Sequence, residues 1–235
     1  MPLGYARPMP WPLPDIVLEN ARARRGRLEV FDAIDPARCA LLVVDMQLAW
    51  TSTEGPMHVP DAAAIVPGIN ALAASLRARG GLVAWIQHSN APPGSPLHWE
   101  TFYANFVRPE RRAASLRTLA PGAPLHALDP ALDVREGDLR LRKYRFSAFT
   151  RNPEDPEALL RARGIDTVVV TGVATNICCE STARDAMMRD FRVFMPHDAV
   201  TAGSAEAHGA GLLAVAQVFA DIRPVEALLR LVEAS

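Results

Sequence analysis

Apolar residues follow two patterns along this chain. Unbroken apolar runs, typical of strands buried on both faces of a parallel sheet, alternate with segments in which apolar residues recur every three or four positions, as in helices. The predicted strands span residues 39–45, 82–88, 138–144, 167–171 and 192–195. The predicted helices span residues 65–79, 156–163, 205–219 and 225–232, and another begins at Glu180. This order predicts an α/β fold with a doubly wound, mostly parallel sheet and helices on both faces.

Two segments depart from this pattern. Residues 1–37 contain prolines at positions 2, 8, 10, 12 and 14, which favour an extended arm or disorder, and a short charged helix is predicted over 16–28. We therefore predict an N-terminal extension over residues 1–37 and a single domain over residues 38–235. Residues 89–138 are the least regular stretch, which favours a lid or pocket insertion, with a long connection as the alternative.

Composition narrows the possible functions. With 235 residues, 49% of them hydrophobic, the chain is long enough to bury one sizeable core. A net charge of −1, with scattered basic residues, gives no electrostatic basis for binding nucleic acid or an anionic membrane. The N-terminus lacks the apolar segment of a secretory signal, no apolar window reaches transmembrane length, and three cysteines are too few for a disulfide framework. We predict a soluble cytoplasmic protein.

Two reactive side chains lie where predicted strands end. Asp45 closes the first apolar run, and Cys178 lies at the start of the helix that follows the 167–171 strand. The carboxyl ends of parallel strands share one edge of a sheet, where open α/β sheets bind ligands, and the N–H groups of a helix start favour a nucleophilic thiolate. Each residue also has a structural alternative, as a turn aspartate or a core cysteine. Cys179 points about 100° away around the helix and is predicted to pack in the core.

Lys143 is a candidate functional residue because lysine is so rare in this chain. Of the 25 lysines and arginines in the chain, it is the single lysine, and it ends the alternating strand at 138–144. An ammonium is a compact charge that can sit beside a thiolate, whereas a guanidinium is planar and larger. Chance survival of one lysine is the alternative explanation.

Three segments together resemble a known family. VVDMQ (43–47), KYRFSAF (143–149) and TGVATNICCESTARDA (171–186) are similar to the isochorismatase-like cysteine hydrolases, which include N-carbamoylsarcosine amidohydrolase, nicotinamidase and the ureidoacrylate amidohydrolases. The resemblance implies a Rossmann-like three-layer fold and a catalytic triad that maps to Asp45, Lys143 and Cys178. It also implies a cis peptide bond between Val173 and Ala174.

The resemblance implies a cysteine hydrolase mechanism. Asp45 would accept the thiol proton, Cys178 would attack the carbonyl carbon, and the backbone N–H groups of Ala174 and Cys178 would hold the oxyanion. The expected reaction is cleavage of a C–N bond in a small amide, N-carbamoyl or ureido compound through a thioester, with release of ammonia or an amine. The alternatives are an isochorismatase-type vinyl ether hydrolase, a non-catalytic binding or oligomerisation protein of the same fold, and a redox protein that uses the vicinal pair Cys178 and Cys179.

Residues near the three segments are predicted to bind the substrate. Arg145 is suited to a substrate carboxylate, and aromatic side chains to a pocket wall. The predicted set is Gln47, Trp50, Tyr144, Arg145, Phe149, Thr175 and Asn176.

We expect neither a cofactor nor a metal ion. Nicotinamidase-type members of the family bind zinc through an aspartate and two histidines, but the loop after the first strand contains only His58 and Asp61 in a comparable position. The resemblance also implies a homodimer or homotetramer with pockets near subunit contacts.

Overall fold

A mostly parallel sheet forms the centre of the protein. The computed structural model describes residues 15–234, so the proline-rich stretch that precedes them, predicted to form an extended arm, lies outside the described residues. The strands in the described part are β1 (Cys39–Val44), β2 (Leu82–His88), β3 (Leu139–Lys143), β4 (Thr167–Val173), β5 (Arg192–Pro196), β6 (Val200–Thr201) and β7 (Asp221–Arg223). The helices are α1 (Asp15–Arg25), α2 (Leu48–Thr51), α3 (Val66–Arg77), α4 (Glu100–Asn105), α5 (Pro109–Thr118), α6 (Pro156–Arg161), α7 (Glu180–Met187), α8 (Ala205–Val218) and α9 (Val225–Glu233).

The sheet has the strand order β3-β2-β1-β4-β5-β7, with β6 paired to β4, and every pairing is parallel. After β1 the chain builds outward to β2 and β3, then returns to the other side of β1 to form β4. The order therefore reverses between β1 and β4, which is the kind of position where open α/β sheets bind ligands. This arrangement confirms the predicted fold class.

Burial explains why these strands were recognisable. β1 and β4 lie at the centre of the sheet and are buried along their whole length, so they appear as continuous apolar runs. β3 lies at the edge, and its buried and exposed residues alternate. Alternate residues of each central strand face two separate cores, one with α3 and α9 and the other with α6, α7 and α8. The protein thus has three layers.

The predicted elements agree with the observed ones to within three residues at each end. Residues 89–138, predicted to be the least regular stretch, contain α4 and α5. The short elements α2, β6 and β7 were not predicted, because elements of two to four residues leave no periodic signal.

The turn after β4 differs from the prediction. β4 continues to Val173, and residues Thr175–Cys179 form a single π-helical turn that leads directly into α7. Gly172 lies opposite Val44 with φ +105°, and a Cβ atom there would lie 2.1 Å from the Val44 carbonyl oxygen. Only glycine allows β1 and β4 to approach so closely at this point.

Within residues 15–234, the helices are too short or too polar to span a lipid bilayer.

Candidate active site

Four neighbouring strands bring four polar side chains together at one edge of the sheet. Asp45 directly follows β1, His88 ends β2, Lys143 ends β3, and Cys178 lies in the π-helical turn after β4. Because the strand order is β3-β2-β1-β4, these ends are adjacent. Asp45 has a left-handed backbone, with φ +55°, a conformation that aspartate adopts more readily than most residues.

The Lys143 ammonium is the centre of this group. Its Nζ atom lies 2.8 Å from Asp45 Oδ2, 3.3 Å from Cys178 Sγ and 3.1 Å from His88 Nδ1. A fourth neighbour is the backbone carbonyl oxygen of Arg145, at 3.3 Å. The structure thus brings together the three residues that the sequence predicted as a triad and adds a histidine.

Burial and the neighbouring charges together set the charge state of the site. The Lys143 side chain is fully buried, which by itself lowers its pKa, but the negative charge of Asp45 and the contact with Cys178 outweigh burial and raise the pKa. The ammonium therefore stays protonated. Burial raises the pKa of Asp45, although the neighbouring ammonium and hydrogen bonds counteract this change. A carboxylate of raised pKa is a better proton acceptor, as a general base requires.

The expected depression of the thiol pKa is not found. Burial, followed by the negative charge of Asp45, raises the pKa of Cys178 to about 12 and outweighs Lys143, so the thiol is protonated in the resting protein. The expectation relied on a helix start at Cys178, but the helical turn begins earlier, at Thr175. Cys178 therefore does not occupy the helix start that the sequence predicted, and its thiol contacts Asp45 and Lys143 instead.

The other two cysteines are part of the core. Cys39, Cys178 and Cys179 are all free thiols. The Cys179 Sγ atom lies 3.7 Å from the Thr171 carbonyl oxygen and is fully buried, as predicted for a packing residue. Cys178 keeps only 7% of its surface exposed and Cys179 none, which is a poor arrangement for a vicinal redox pair.

The turn that carries Cys178 is held through Ala174. The Val173–Ala174 peptide bond is cis. The Ala174 carbonyl oxygen accepts hydrogen bonds from the N–H groups of Ile177 and Cys179, each at 3.1 Å. These bonds fix the backbone around the two amides, of Ala174 and Cys178, that the sequence suggested for an oxyanion hole.

Several predicted substrate ligands have other partners. Arg145 donates from Nη1 to the carbonyl oxygens of Leu97 (3.0 Å) and Tyr144 (2.6 Å), and from Nη2 to that of His98 (3.2 Å). The guanidinium also stacks on Trp99. Arg145 therefore connects the chain after β3 to residues 89–138, and its role in binding a substrate carboxylate stays a prediction.

Three further residues that were predicted to bind the substrate also contact other parts of the chain. Gln47 is fully buried and uses its amide to bind backbone groups of His88 and His126. The hydroxyl of Thr175 pairs with His208 Nδ1 at 2.8 Å. Phe149 packs in the core with its ring 5.8 Å from that of Phe191. None of these interactions was visible in the sequence, because each partner is distant along the chain.

Three predicted residues keep positions compatible with a pocket. Trp50 is half-buried, and its ring stands edge-on to the His88 imidazole at 6.1 Å. Asn176 is half-buried within the π-helical turn, and Tyr144 is buried next to Lys143.

His88 is the residue that sequence reasoning missed. It is the last residue of β2, so the strand-end rule that singled out Asp45 and Lys143 applies to it equally. Applied to β2, the same rule would have identified His88 from the sequence.

A metal ion has to compete with an ammonium at this position. Asp45, His88 and Cys178 each offer a ligand atom, all within 4.8 Å of one another, and they are the only such group in residues 15–234. Lys143 Nζ lies within 3.3 Å of all three. Because a metal cation would have to displace this buried charge, the geometry favours a site organised by the ammonium.

The chain is similar to proteins of known family. The family model for the Isochorismatase domain matches residues 39–227. Ureidoacrylate amidohydrolase RutB of Methylobacterium radiotolerans is 36% identical over 210 residues, covering 83% of this chain and 80% of that protein. The corresponding RutB of Klebsiella pneumoniae is 35% identical over 204 residues, covering 81% of this chain and 85% of its own.

Solved structures are also similar. A cysteine hydrolase from Pseudomonas syringae superposes with a TM-score of 0.78 at 27% identity, over 88% of this chain and 97% of that one. N-carbamoylsarcosine amidase from Thermoplasma acidophilum superposes with a TM-score of 0.63 at 26% identity, over 80% of this chain and 97% of that one.

Proposed function

This chain belongs to the isochorismatase family and hydrolyses amide C–N bonds, and on that premise we propose that it does so with Asp45, Lys143 and Cys178 through a thioester. The observation that carries the proposal is the buried Lys143 ammonium, which lies 2.8 Å from Asp45 Oδ2 and 3.3 Å from Cys178 Sγ. A base, a cation and a nucleophile in mutual contact are the groups that covalent acyl transfer needs.

The proposed reaction has two halves. In the first, the Cys178 thiol proton passes to Asp45 while sulfur attacks the substrate carbonyl carbon, and Lys143 stabilises the developing thiolate. The oxyanion lies against the N–H groups of Ala174 and Cys178. Asp45 then gives its proton to the leaving nitrogen as the C–N bond breaks. In the second half, Asp45 accepts a proton from water as the water attacks the thioester, and it returns this proton to the departing Cys178 sulfur, which leaves as the thiol.

We propose an N-carbamoyl or ureido compound as substrate. Two of the similar proteins are named for such compounds, ureidoacrylate and N-carbamoylsarcosine. Both names denote a carbonyl carbon flanked by two nitrogens, so attack and loss of one nitrogen would leave a carbamoyl thioester. The half-buried Trp50, Tyr144 and Asn176 are the proposed lining residues.

Ammonia release tests this proposal. Wild type, Cys178→Ala and the control Cys179→Ala are compared on N-carbamoyl amino acids, ureido acids and simple primary carboxamides. We expect release from the first two substrate groups by wild type and by Cys179→Ala, and none by Cys178→Ala. Equal release by Cys178→Ala would remove this thiol from the mechanism. Consumption of isochorismate without ammonia release from any amide would favour vinyl ether hydrolysis instead.

The thioester is tested separately. Rapid acid quench of wild type during turnover, followed by intact mass measurement, is expected to show an adduct equal to the acyl part of the substrate. The adduct maps to the peptide that contains Cys178. Its absence at a time when product forms in a burst would contradict covalent catalysis.

Three further proposals concern the whole chain. Residues 1–37 are an extension and residues 38–235 the hydrolase domain; the family match over residues 39–227 supports this division. The protein is cytoplasmic, which its three free thiols support, and it forms a homodimer or homotetramer. Light scattering coupled to size-exclusion chromatography measures the oligomer size, and a monomeric mass would contradict it.

A further inference from the structure

His88 contacts the centre of the site but has no role in the mechanism above. Its Nδ1 atom lies 3.1 Å from Lys143 Nζ, at the end of β2 between the strands that carry Asp45 and Lys143. We propose that neutral His88 is a positioning residue, which holds the Lys143 ammonium within reach of both Asp45 and Cys178. The inference rests on the proposed function and adds a fourth residue to it.

The hydrogen-bonding capacity of the ammonium supports this role. An ammonium donates three hydrogen bonds and accepts none. Four acceptors surround Lys143 Nζ within 3.3 Å: Asp45 Oδ2, His88 Nδ1, Cys178 Sγ and the Arg145 carbonyl oxygen. The acceptors exceed the three N–H bonds by one, so the ammonium shares its hydrogen bonds among them, and the 3.3 Å contact with Cys178 Sγ is one of these. When the thiol loses its proton, one N–H can turn to sulfur without leaving the cluster.

This geometry also specifies the state of the ring. Because Lys143 only donates, Nδ1 of His88 has to be the unprotonated nitrogen, and the ring proton lies on Nε2. A neutral acceptor anchors the ammonium without adding charge. A second carboxylate at this position would compete with the thiolate for the same cation.

The charges around His88 keep it neutral. Burial and the Lys143 ammonium, with smaller contributions from His126 and Arg145, lower the pKa of His88 well below its usual value, while a hydrogen bond with Asn90 partly opposes this. Asp45 and Cys178 complete the ionisable groups around Lys143. The ring therefore remains an acceptor throughout the neutral range.

The backbone of His88 is fixed from β1. Gln47, two residues after Asp45, accepts from the His88 N–H at 2.7 Å through Oε1 and donates to the His88 carbonyl oxygen at 3.2 Å through Nε2. The same amide nitrogen donates to the His126 carbonyl oxygen at 2.8 Å. Gln47, in the segment that also carries Asp45, thus fixes the position of the His88 backbone and imidazole.

Two substitutions of His88 distinguish a role in positioning Lys143 from simple filling of space. In His88→Asn the amide oxygen falls near the place of Nδ1 and can still accept from Lys143, whereas in His88→Gln it falls near Nε2 and cannot. Both variants are polar and smaller than or similar to histidine, so they form a matched pair. His88→Leu supplies the apolar limit.

The first readout is the rate of Cys178 alkylation by iodoacetamide at pH 8, which needs no substrate. We expect His88→Gln and His88→Leu to react about tenfold more slowly than wild type, since one charge-assisted hydrogen bond to the ammonium is lost. His88→Asn is expected to recover most of the rate. On the ammonia-releasing substrate, kcat is expected to fall in parallel while KM changes little.

The outcomes are decisive in both directions. Equal rates for the asparagine and glutamine variants, whether both normal or both slow, would overturn the role of Nδ1, as would a KM effect without a kcat effect. If wild type releases no ammonia from any substrate, the proposed function fails, but the alkylation series still tests His88. If wild type is active and alkylation is unchanged in His88→Gln, the inference about His88 alone fails.

Discussion

At the scale of single residues, Lys143 meets a requirement that arginine does not. Its fully buried ammonium has four acceptors within 3.3 Å, an arrangement too tight for a planar guanidinium. We expect Lys143→Arg to lose activity as severely as Lys143→Ala, by about 10²- to 10⁴-fold in kcat/KM. Circular dichroism and the melting temperature verify folding. A Lys143→Arg protein with a tenth of wild-type activity would show that charge alone is enough.

Cys178 leads to a second prediction, on pH dependence. Since burial raises the pKa of the thiol to about 12, the thiolate fraction grows throughout the neutral and alkaline range. The alkylation rate of wild type is expected to rise about tenfold per pH unit from pH 7 upward. A plateau by pH 8 would instead indicate a depressed pKa.

Substitution of Asp45 distinguishes the reactivity of the Cys178 thiol from the rate of amide hydrolysis. Its negative charge is one of the causes that raise the Cys178 pKa, so Asp45→Asn is expected to lower that pKa and to speed alkylation. The same variant is expected to lose amide hydrolysis, because no group remains to accept the thiol proton. Faster alkylation with retained hydrolysis would mean that Asp45 is not the base.

Substitution of Arg145 distinguishes a positioning role of this residue from a role in substrate binding. Its hydrogen bonds to the carbonyl oxygens of Leu97 and His98 connect residues 89–138 to the segment that follows Lys143, and a third bond reaches the neighbouring Tyr144. We expect Arg145→Met and Arg145→Lys to lower the free energy of unfolding by about 1–3 kcal/mol and to impair acidic and neutral substrates alike. A rise in KM confined to substrates that carry a carboxylate would restore the role inferred from sequence.

At the scale of secondary structure elements, the π-helical turn depends on a close contact with α8. A Cβ atom on Gly211 would lie 2.7 Å from Asn176 Cα, within the turn that carries Cys178. Gly211→Ala is therefore expected to displace the turn and to lower kcat/KM by about 10²-fold, since small misplacements of reacting groups are costly.

The same helix provides the control. Gly209 has open space where a Cβ would lie, and alanine is a better helix former than glycine. Gly209→Ala is expected to keep full activity with unchanged or slightly higher thermal stability. Equal activity of the two variants would show that the turn yields to α8 without consequence.

These elements show what sequence could and could not predict. Strands β1 and β4 were predictable because they are buried on both faces and appear as continuous apolar runs. Asp45 and Cys178 were found because the strand-end rule needs only local sequence. The π-helical turn was not predicted; it packs against Gly211, which lies far along the chain.

Long-range hydrogen bonds could not be predicted from the sequence either. Gln47 and Arg145 were assigned to the substrate because they lie beside Asp45 and Lys143 in the sequence. Their partners, His126 for Gln47 and Leu97 for Arg145, lie dozens of residues away. Sequence alone gives no register between such segments.

At the scale of the whole molecule, the return of the chain from β3 to β4 explains why the site lies where it does. The crossing places the ends of four strands side by side, so that each strand contributes one polar residue. Sheet register fixes their relative heights: His88 pairs with Lys143 across β2 and β3, and Val44 pairs with Gly172 across β1 and β4. The rigid sheet therefore keeps a buried cation, an acid and a thiol in contact.

The stability of that sheet depends on a second charge cluster, which leads to our last prediction. Asp138, just before β3, accepts from Arg77 of α3 through both oxygens (2.9 and 2.6 Å) and from the Trp85 indole of β2 at 2.8 Å. Burial alone would raise the pKa of Asp138, but the hydrogen bonds from Arg77, the Arg135 amide and Trp85 outweigh it and lower the pKa below the usual 3.8. A carboxyl whose pKa is lower in the folded state stabilises the fold above its unfolded pKa and loses that contribution as pH falls through the folded value.

Asp138→Asn is thus expected to lower the free energy of unfolding by about 2 kcal/mol at pH 7, with the difference from wild type shrinking below about pH 4. Urea denaturation at pH 7, 5 and 3.5 measures it. Asp32→Asn is the control, because the Asp32 pair with Arg27 is exposed to solvent and is expected to change stability little at any of these pH values. A deficit in Asp138→Asn that stays constant down to pH 3.5 would show that the shape of the side chain, and not its ionised form, holds α3, β2 and β3 together.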